Sequence, residues 1–135
     1  MSKIKIGKQE VIHFVGIGGI GMSGLAQIMK TMGFTVQGSD VNKNKNTDNC
    51  KKSGIKILID HNKKNINKAT IVVKSSAIKP NNVELLNAKK RNIPIYERIE
   101  MLANIIDLKK NIIITGSHGK TITTSLVANI ISAAK

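Results

Sequence analysis

Val11-Ile12-His13-Phe14-Val15-Gly16-Ile17-Gly18-Gly19-Ile20-Gly21-Met22 decides how this chain is read. A short apolar run enters a glycine turn, and an apolar stripe at helical spacing follows through Met22, Leu25, Ile28 and Met29. That is strand, tight turn, helix start. The geometry points backbone N–H groups and the positive end of a helix dipole at an anion. Gly16, Gly18 and Gly21 have the G-x-G-x-x-G spacing. It asks for glycine at the turn, at the approach of a diphosphate and at close helix–strand packing. Alone the pattern is weak, and a tight turn that binds nothing also fits it. Its place between strand and helix strengthens it, as does Asp40, which stands roughly 20 residues on, where a ribose-reading acid is expected. NAD and a nucleotide sugar both satisfy this pattern, because each is a nucleoside followed by a diphosphate.

A second glycine turn, Gly116-Ser117-His118-Gly119-Lys120-Thr121, follows the apolar run Ile112-Ile113-Ile114-Thr115. It carries the Gly-Lys-Thr core of a P-loop. Lys120 is expected to reach β- and γ-phosphates, and the Thr121 hydroxyl to sit on Mg²⁺. Backbone amides from Gly116 to Thr121 are expected to form the nest. The strict pattern wants its first glycine at position 114, which is Ile114, so this is a shorter loop. His118 has two readings, a solvated loop residue or a donor to a phosphate oxygen.

Between the two turns, strands alternate with helices. Strands are expected at Val11–Val15, Phe34–Gln37, Ile55–Ile59, Ala69–Val73, Ile93–Tyr96 and Asn111–Thr115. Helices are expected at Gly21–Met32, Thr47–Ser53 with Thr47 as N-cap, Pro80 to about Arg91, Glu97–Leu108 with Ile99, Leu102, Ala103 and Ile106 inward, and Lys120–Ala133. One helical turn is expected within Asp60–Lys68. This alternation predicts an α/β fold: a parallel sheet with helices on both faces. Ligands then bind at the carboxyl ends of the strands. A domain boundary is expected near Leu108-Lys109-Lys110, dividing residues 1–108 from residues 109–135.

The 135 residues suit one domain with a modest core. Aromatics are only 2%, so that core must be aliphatic. The net charge of +14 and pI near 10.1 invite a nucleic-acid reading. The lysines are scattered or sit in Asn-rich loops such as Asn42–Asn46, with no interleaved aromatics for base stacking, which argues against it. Lys, Ile and Asn are together what an AT-rich genome encodes. A single cysteine, Cys50, excludes a disulfide framework and fits a reducing cytoplasm. It has no evident His or acid partner and is expected to be an ordinary helix residue. Val11–Met29 lacks Lys, Arg, Asp and Glu, yet its glycines suit a strand–turn–helix better than a membrane span or signal peptide. His13 is expected to be structural, His61 a solvated loop residue at the ligand edge or one touching the nucleotide, and Arg98 either a helix-start residue or one facing a substrate phosphate.

Val15–Ala26, Gly38-Ser39-Asp40, Ser75-Ser76-Ala77-Ile78, Glu97–Leu102 and Gly116–Thr121, in this order, resemble the N-terminal part of the Mur ligases. The resemblance covers about Val11 to the end. It implies a three-domain enzyme: a Rossmann-like domain holding a UDP group, a central ATPase, and a second Rossmann-like domain. By that resemblance Gly16, Gly18, Gly19 and Gly21 cradle the UDP diphosphate, and Asp40, Ser75, Ser76 and Ala77 line the nucleotide end. Gly116, Ser117, His118, Gly119, Lys120 and Thr121 hold ATP, with Thr121 on Mg²⁺ and Lys120 and His118 acting in catalysis. The implied substrates are UDP-N-acetylmuramate and L-alanine, joined through an acyl phosphate. No nucleic acid, no membrane and a cytoplasmic location are implied. The second glycine turn then opens an ATPase domain of which this chain holds only the first strand, P-loop and helix, so the chain alone is expected to be inactive. Ser117 and Ile122 stand where the family usually has Thr. The alternative is an NAD(P)-binding Rossmann domain of an oxidoreductase, which needs no Gly-Lys-Thr loop.

Overall fold

The computed structural model describes residues 6–116. Five parallel strands form one sheet in the order β3-β2-β1-β4-β5: β1 Val11–Val15, β2 Thr35–Asp40, β3 Lys56–Ile59, β4 Ile71–Lys74 and β5 Ile95–Glu97. The crossovers are α1 Ile20–Thr31, α2 Lys45–Lys52, a 3-10 turn at Lys63–Ile66 and α3 Val83–Lys90. α4, Arg98–Gly116, follows β5. Strand order reverses between β1 and β4, the switch point at which such sheets bind ligands.

Two apolar layers cover the sheet. On one face Ile12, Phe14, Val36 and Val73 pack against Met22, Leu25 and Met29 of α1, Cys50 of α2, and Met101, Leu102 and Ile105 of α4. On the other, Val15 and Val72 pack against Ile66, Leu85 and Ala88. β4 alternates between the two layers, as a strand's period of two requires. Phe14 and Phe34 both lie in the first layer, and the other buried apolar residues carry no aromatic ring, as composition implied.

Helix ends follow local chemistry. Gly33 and Gly54 close α1 and α2 at φ +100° and +90°, where a Cβ would be strained. α2 starts two residues earlier than expected. Asn44, not Thr47, is its N-cap, and Thr47 completes a capping box by bonding back to the Asn44 backbone N–H. Pro94 precedes the edge strand β5, where its missing N–H costs no ladder bond.

Two expectations need correction. The inward stripe of α4 is Met101, Leu102 and Ile105, while Ile99 is 62% exposed. The helix starts with the preceding strand's exit, which turns its core face by one position. The expected strand at Asn111–Thr115 is helical and continuous with α4. A lone β segment with no neighbour leaves its N–H and C=O groups unpaired, whereas a helix pairs them internally. Here that local pairing overrides the β-branched residues.

Candidate functional site

The glycine turn is tied tightly to β2. Gly16 leaves β1 at φ +85°, and the Gly16 and Ile17 N–H groups both donate to the Ser39 carbonyl at 2.9 and 3.0 Å. Gly18 N–H donates to Asp40 Oδ2 at 2.7 Å, and Gly19 N–H to the Gly16 carbonyl at 3.2 Å. The Gly18 carbonyl accepts from Asn44 and Asn46 side chains. The first intrahelical bond of α1 is Ser23 N–H to Gly19 O at 2.8 Å. Consequently the amides of Ile20, Gly21 and Met22 have no partner among the described residues, and the first turn of α1 holds no acidic residue. The amides left open are therefore those of residues 20–22, at the helix mouth. The amides of 16–19 shape the turn.

Asp40 sits where expected, but its two oxygens are engaged within the protein: Oδ2 on Gly18 and Oδ1 on Val41 N–H at 2.8 Å. A Cβ on Gly18 would stand 2.7 Å from Asp40 Oδ2 and 2.8 Å from Asn44 Nδ2, so only glycine fits beneath them. Asp40→Ala should cost about 1–2 kcal/mol, a charge-assisted bond at a half-buried position. Urea denaturation measures it; an unchanged midpoint would mean that water replaces the carboxylate on Gly18.

Across the switch point lies the Ser75–Ile78 turn after β4, closed by Ile78 N–H to Ser75 O at 3.2 Å. A Cβ on Gly16 would meet Ile78 Cδ1 at 2.9 Å and Ser75 Oγ at 3.7 Å, so the two loops touch. Ser76 and Ala77 are exposed at its tip. The structure thus brings together Gly16, Gly18, Gly19, Gly21, Asp40 and Ser75, with Ser76 and Ala77 at the rim. Gly116, expected to lead the second turn, is the last residue of α4. Ser117, His118, Gly119, Lys120 and Thr121 lie outside the described residues, as does the expected helix at Lys120–Ala133.

Beneath the other face lies a polar cluster that the sequence did not announce. His13 and Gln37 are register partners on β1 and β2, and Ser39 follows two residues on, so all three side chains share one face. Glu84, fully buried on α3, is the hub. Its Oε1 accepts from His13 Nε2 at 2.6 Å and Ser39 Oγ at 2.7 Å. Its Oε2 accepts from Asn65 Nδ2 at 2.8 Å, Asn62 N–H at 3.1 Å and His61 Nδ1 at 3.2 Å. Gln37 Nε2 donates to His13 Nδ1 at 2.8 Å, which assigns the imidazole proton to Nε2. Burial pushes the Glu84 pKa up. Hydrogen bonds from His13, Ser39 and Asn65 outweigh it and hold the carboxyl at about 2, against an ordinary 4.5.

This cluster makes His13 structural, as expected, but corrects the reading of His61. That side chain is only 14% exposed and is anchored to Glu84 and Ser39. Glu84 itself was missed; a histidine on the central strand of a parallel sheet was the available sign that a buried partner existed. Cys50 is buried, and its thiol is pushed up to about 11 by that burial, against a weaker opposing hydrogen bond with Gln27. It is no nucleophile. Among the described residues no group of three or more His, Cys, Asp or Glu could hold a metal ion, and no helix is long and apolar enough to cross a membrane.

A doubly wound parallel sheet with a glycine turn and open helix amides at its switch point is a domain of the Rossmann-like type. Residues 11–110 match the sequence model described as "Mur ligase family, catalytic domain", and the chain belongs to that family. A UDP-N-acetylmuramate–L-alanine ligase from Pelagibacter ubique is 68% identical over 98% of this chain and 29% of its own length. One from Aquifex aeolicus is 56% identical over 88% of this chain and 26% of its own. The crystal structure of the UDP-N-acetylmuramate–alanine ligase of Thermotoga maritima superposes with a TM-score of 0.71 at 34% identity, covering 73% of this chain and 23% of that one. The chain therefore spans under a third of the length of these relatives.

Proposed function

We propose that this chain holds the UDP part of UDP-N-acetylmuramate for a ligase that joins L-alanine to that sugar nucleotide. The observation that carries the reading is the trio of unpartnered amides at Ile20, Gly21 and Met22, set at the switch point of a Mur-family fold. They and the α1 dipole suit a diphosphate. Asp40 fixes the turn through Gly18 and keeps lone pairs able to accept from ribose hydroxyls. The Ser75–Ala77 loop supplies the opposite wall. The relatives' printed names supply the choice of sugar nucleotide and amino acid.

The proposed division is a sugar-nucleotide domain at residues 1–108 and, from 109, the start of an ATP-binding part. ATP and Mg²⁺ are assigned to Gly116–Thr121 on the sequence pattern alone, with Thr121 on the metal and Lys120 and His118 at the phosphates. Bound there, ATP would supply the phosphoryl group that activates the muramate carboxylate. The described residues bind and orient the sugar nucleotide; they contain no group placed to make the amide bond. A cytoplasmic location goes with these substrates.

Thermal unfolding with UDP-N-acetylmuramate, NAD or ATP tests the reading. A ligand at 100 times its Kd stabilises by about 2.7 kcal/mol when it binds only the folded state. The UDP sugar should raise the melting temperature and NAD should not. Stabilisation by NAD alone would replace this reading with the oxidoreductase one.

A further inference from the structure

The third glycine of the turn is not explained by helix–strand packing. A Cβ on Gly21 would stand 3.2 Å from Cδ and Nε of Arg98 and 3.3 Å from its Cζ. The Arg98 side chain thus lies against Gly21 at the first turn of α1, in space that a larger residue at 21 would have to share. Arg98 opens α4, directly after β5, and so reaches this spot from the carboxyl end of the sheet. Its Nη1 is buried with no hydrogen-bond partner, and its side chain forms no ion pair among the described residues. The nearby acids are committed elsewhere: Glu97 to Lys74, Glu100 to the Glu97 N–H, Asp40 to Gly18 and Val41.

A partly desolvated cation has thus been placed beside three uncommitted N–H groups at the positive end of a helix. These features repel one another and leave donors unpaired. A bound anion turns that conflict into joint binding, because guanidinium and amides then share its oxygens. No hydrogen bond holds the Arg98 side chain in place among the described residues, so it turns to a ligand without breaking one.

We infer that Arg98 is a diphosphate-binding residue, the side-chain partner of the Ile20–Met22 amides, and that Gly21 leaves room for it beside them. The inference rests on the UDP reading above and names the residue that gives the site its preference for a doubly charged phosphate group. Binding of inorganic pyrophosphate, UDP and uridine to the 135-residue chain should be measured by calorimetry for wild type, Arg98→Met and Arg98→Lys. Arg98→Met should weaken UDP and pyrophosphate about 10- to 100-fold, the range of one charge-assisted contact, and leave uridine unchanged. Arg98→Lys should recover part of the loss. The unliganded Met variant should melt at or above the wild-type temperature, because a half-buried cation with an unpaired Nη1 has been removed.

UDP affinity within twofold of wild type in the Met variant overturns the inference. So does a lower melting temperature with equal losses for uridine and UDP, which marks a structural arginine. If wild type takes up pyrophosphate in an Arg98-dependent way but not UDP, the UDP reading falls and the role of Arg98 stands. If wild type binds neither, both fall.

Discussion

Glu84→Ala should destabilise the chain by about 3–5 kcal/mol in urea denaturation, the largest effect expected of any single change. The carboxylate is the common acceptor for His13, Ser39, Asn62, Asn65 and His61. Removing it leaves the buried His13 and Ser39, and the more exposed Asn62, Asn65 and His61, without their acceptor, and opens a hole between α3 and the sheet. Native stabilities are commonly about 5–15 kcal/mol, so the variant should stand near the edge of folding. Glu84→Gln keeps the volume but turns an N–H against donors, and should cost less, about 2–3 kcal/mol.

The same residue sets an acid limb. Its folded pKa of about 2 lies below the ordinary 4.5, so the folded state favours the ionised form. That contribution is fully present above pH 4.5 and is lost as the pH falls toward 2. The difference corresponds to about 3 kcal/mol. In Glu84→Gln this part of the acid sensitivity should vanish, leaving a shallower fall in stability below pH 4.5. An equally steep fall in the variant would assign the limb to other carboxylates.

Gly38→Ala is the second large effect. On β2, a Cβ at this position would lie 2.4 Å from Ile17 Cδ1, 2.7 Å from Ile17 Cβ and 2.9 Å from the Phe14 carbonyl oxygen. Ile17 is fully buried in the glycine turn, and the Phe14 oxygen belongs to the neighbouring strand's backbone. A side chain tip can swing away; Cβ and a paired carbonyl cannot. The cost should reach the upper part of the overpacking range, about 2–3 kcal/mol. Because Ile17 moves with the turn, UDP binding should weaken in the same variant. Adding Ile17→Ala to Gly38→Ala should cost less than the two single effects summed, because each change relieves the other. Strict additivity would show that the two residues do not press on each other.

The alternation of apolar runs and glycine stops made the five parallel strands readable, because each element carries its own period and its own punctuation. Val11–Val15 was placed to the residue, and Gly33 and Gly54 marked helix ends through the backbone conformation they permit. The glycine spacing located the turn at the switch point of the sheet. What was not readable depends on partners distant in sequence. Which amides stay open was decided by the Ser39 carbonyl and Asp40 carboxylate closing on residues 16–18. Glu84 carries no local signal of its role; only the placement of α3 under β1 and β2 makes it the hub of the buried cluster. Asn111–Thr115 has the composition of a strand, yet it continues α4.

A titration of the ¹⁵N-labelled chain with UDP-N-acetylmuramate, followed through backbone amide resonances, examines the glycine turn most directly. The Ile20, Gly21 and Met22 amides should shift most, with Gly16 and Ile17 nearly still because the Ser39 carbonyl already holds them. Saturable binding that leaves residues 20–22 unmoved and shifts another surface would contradict the placement of the diphosphate at the mouth of α1.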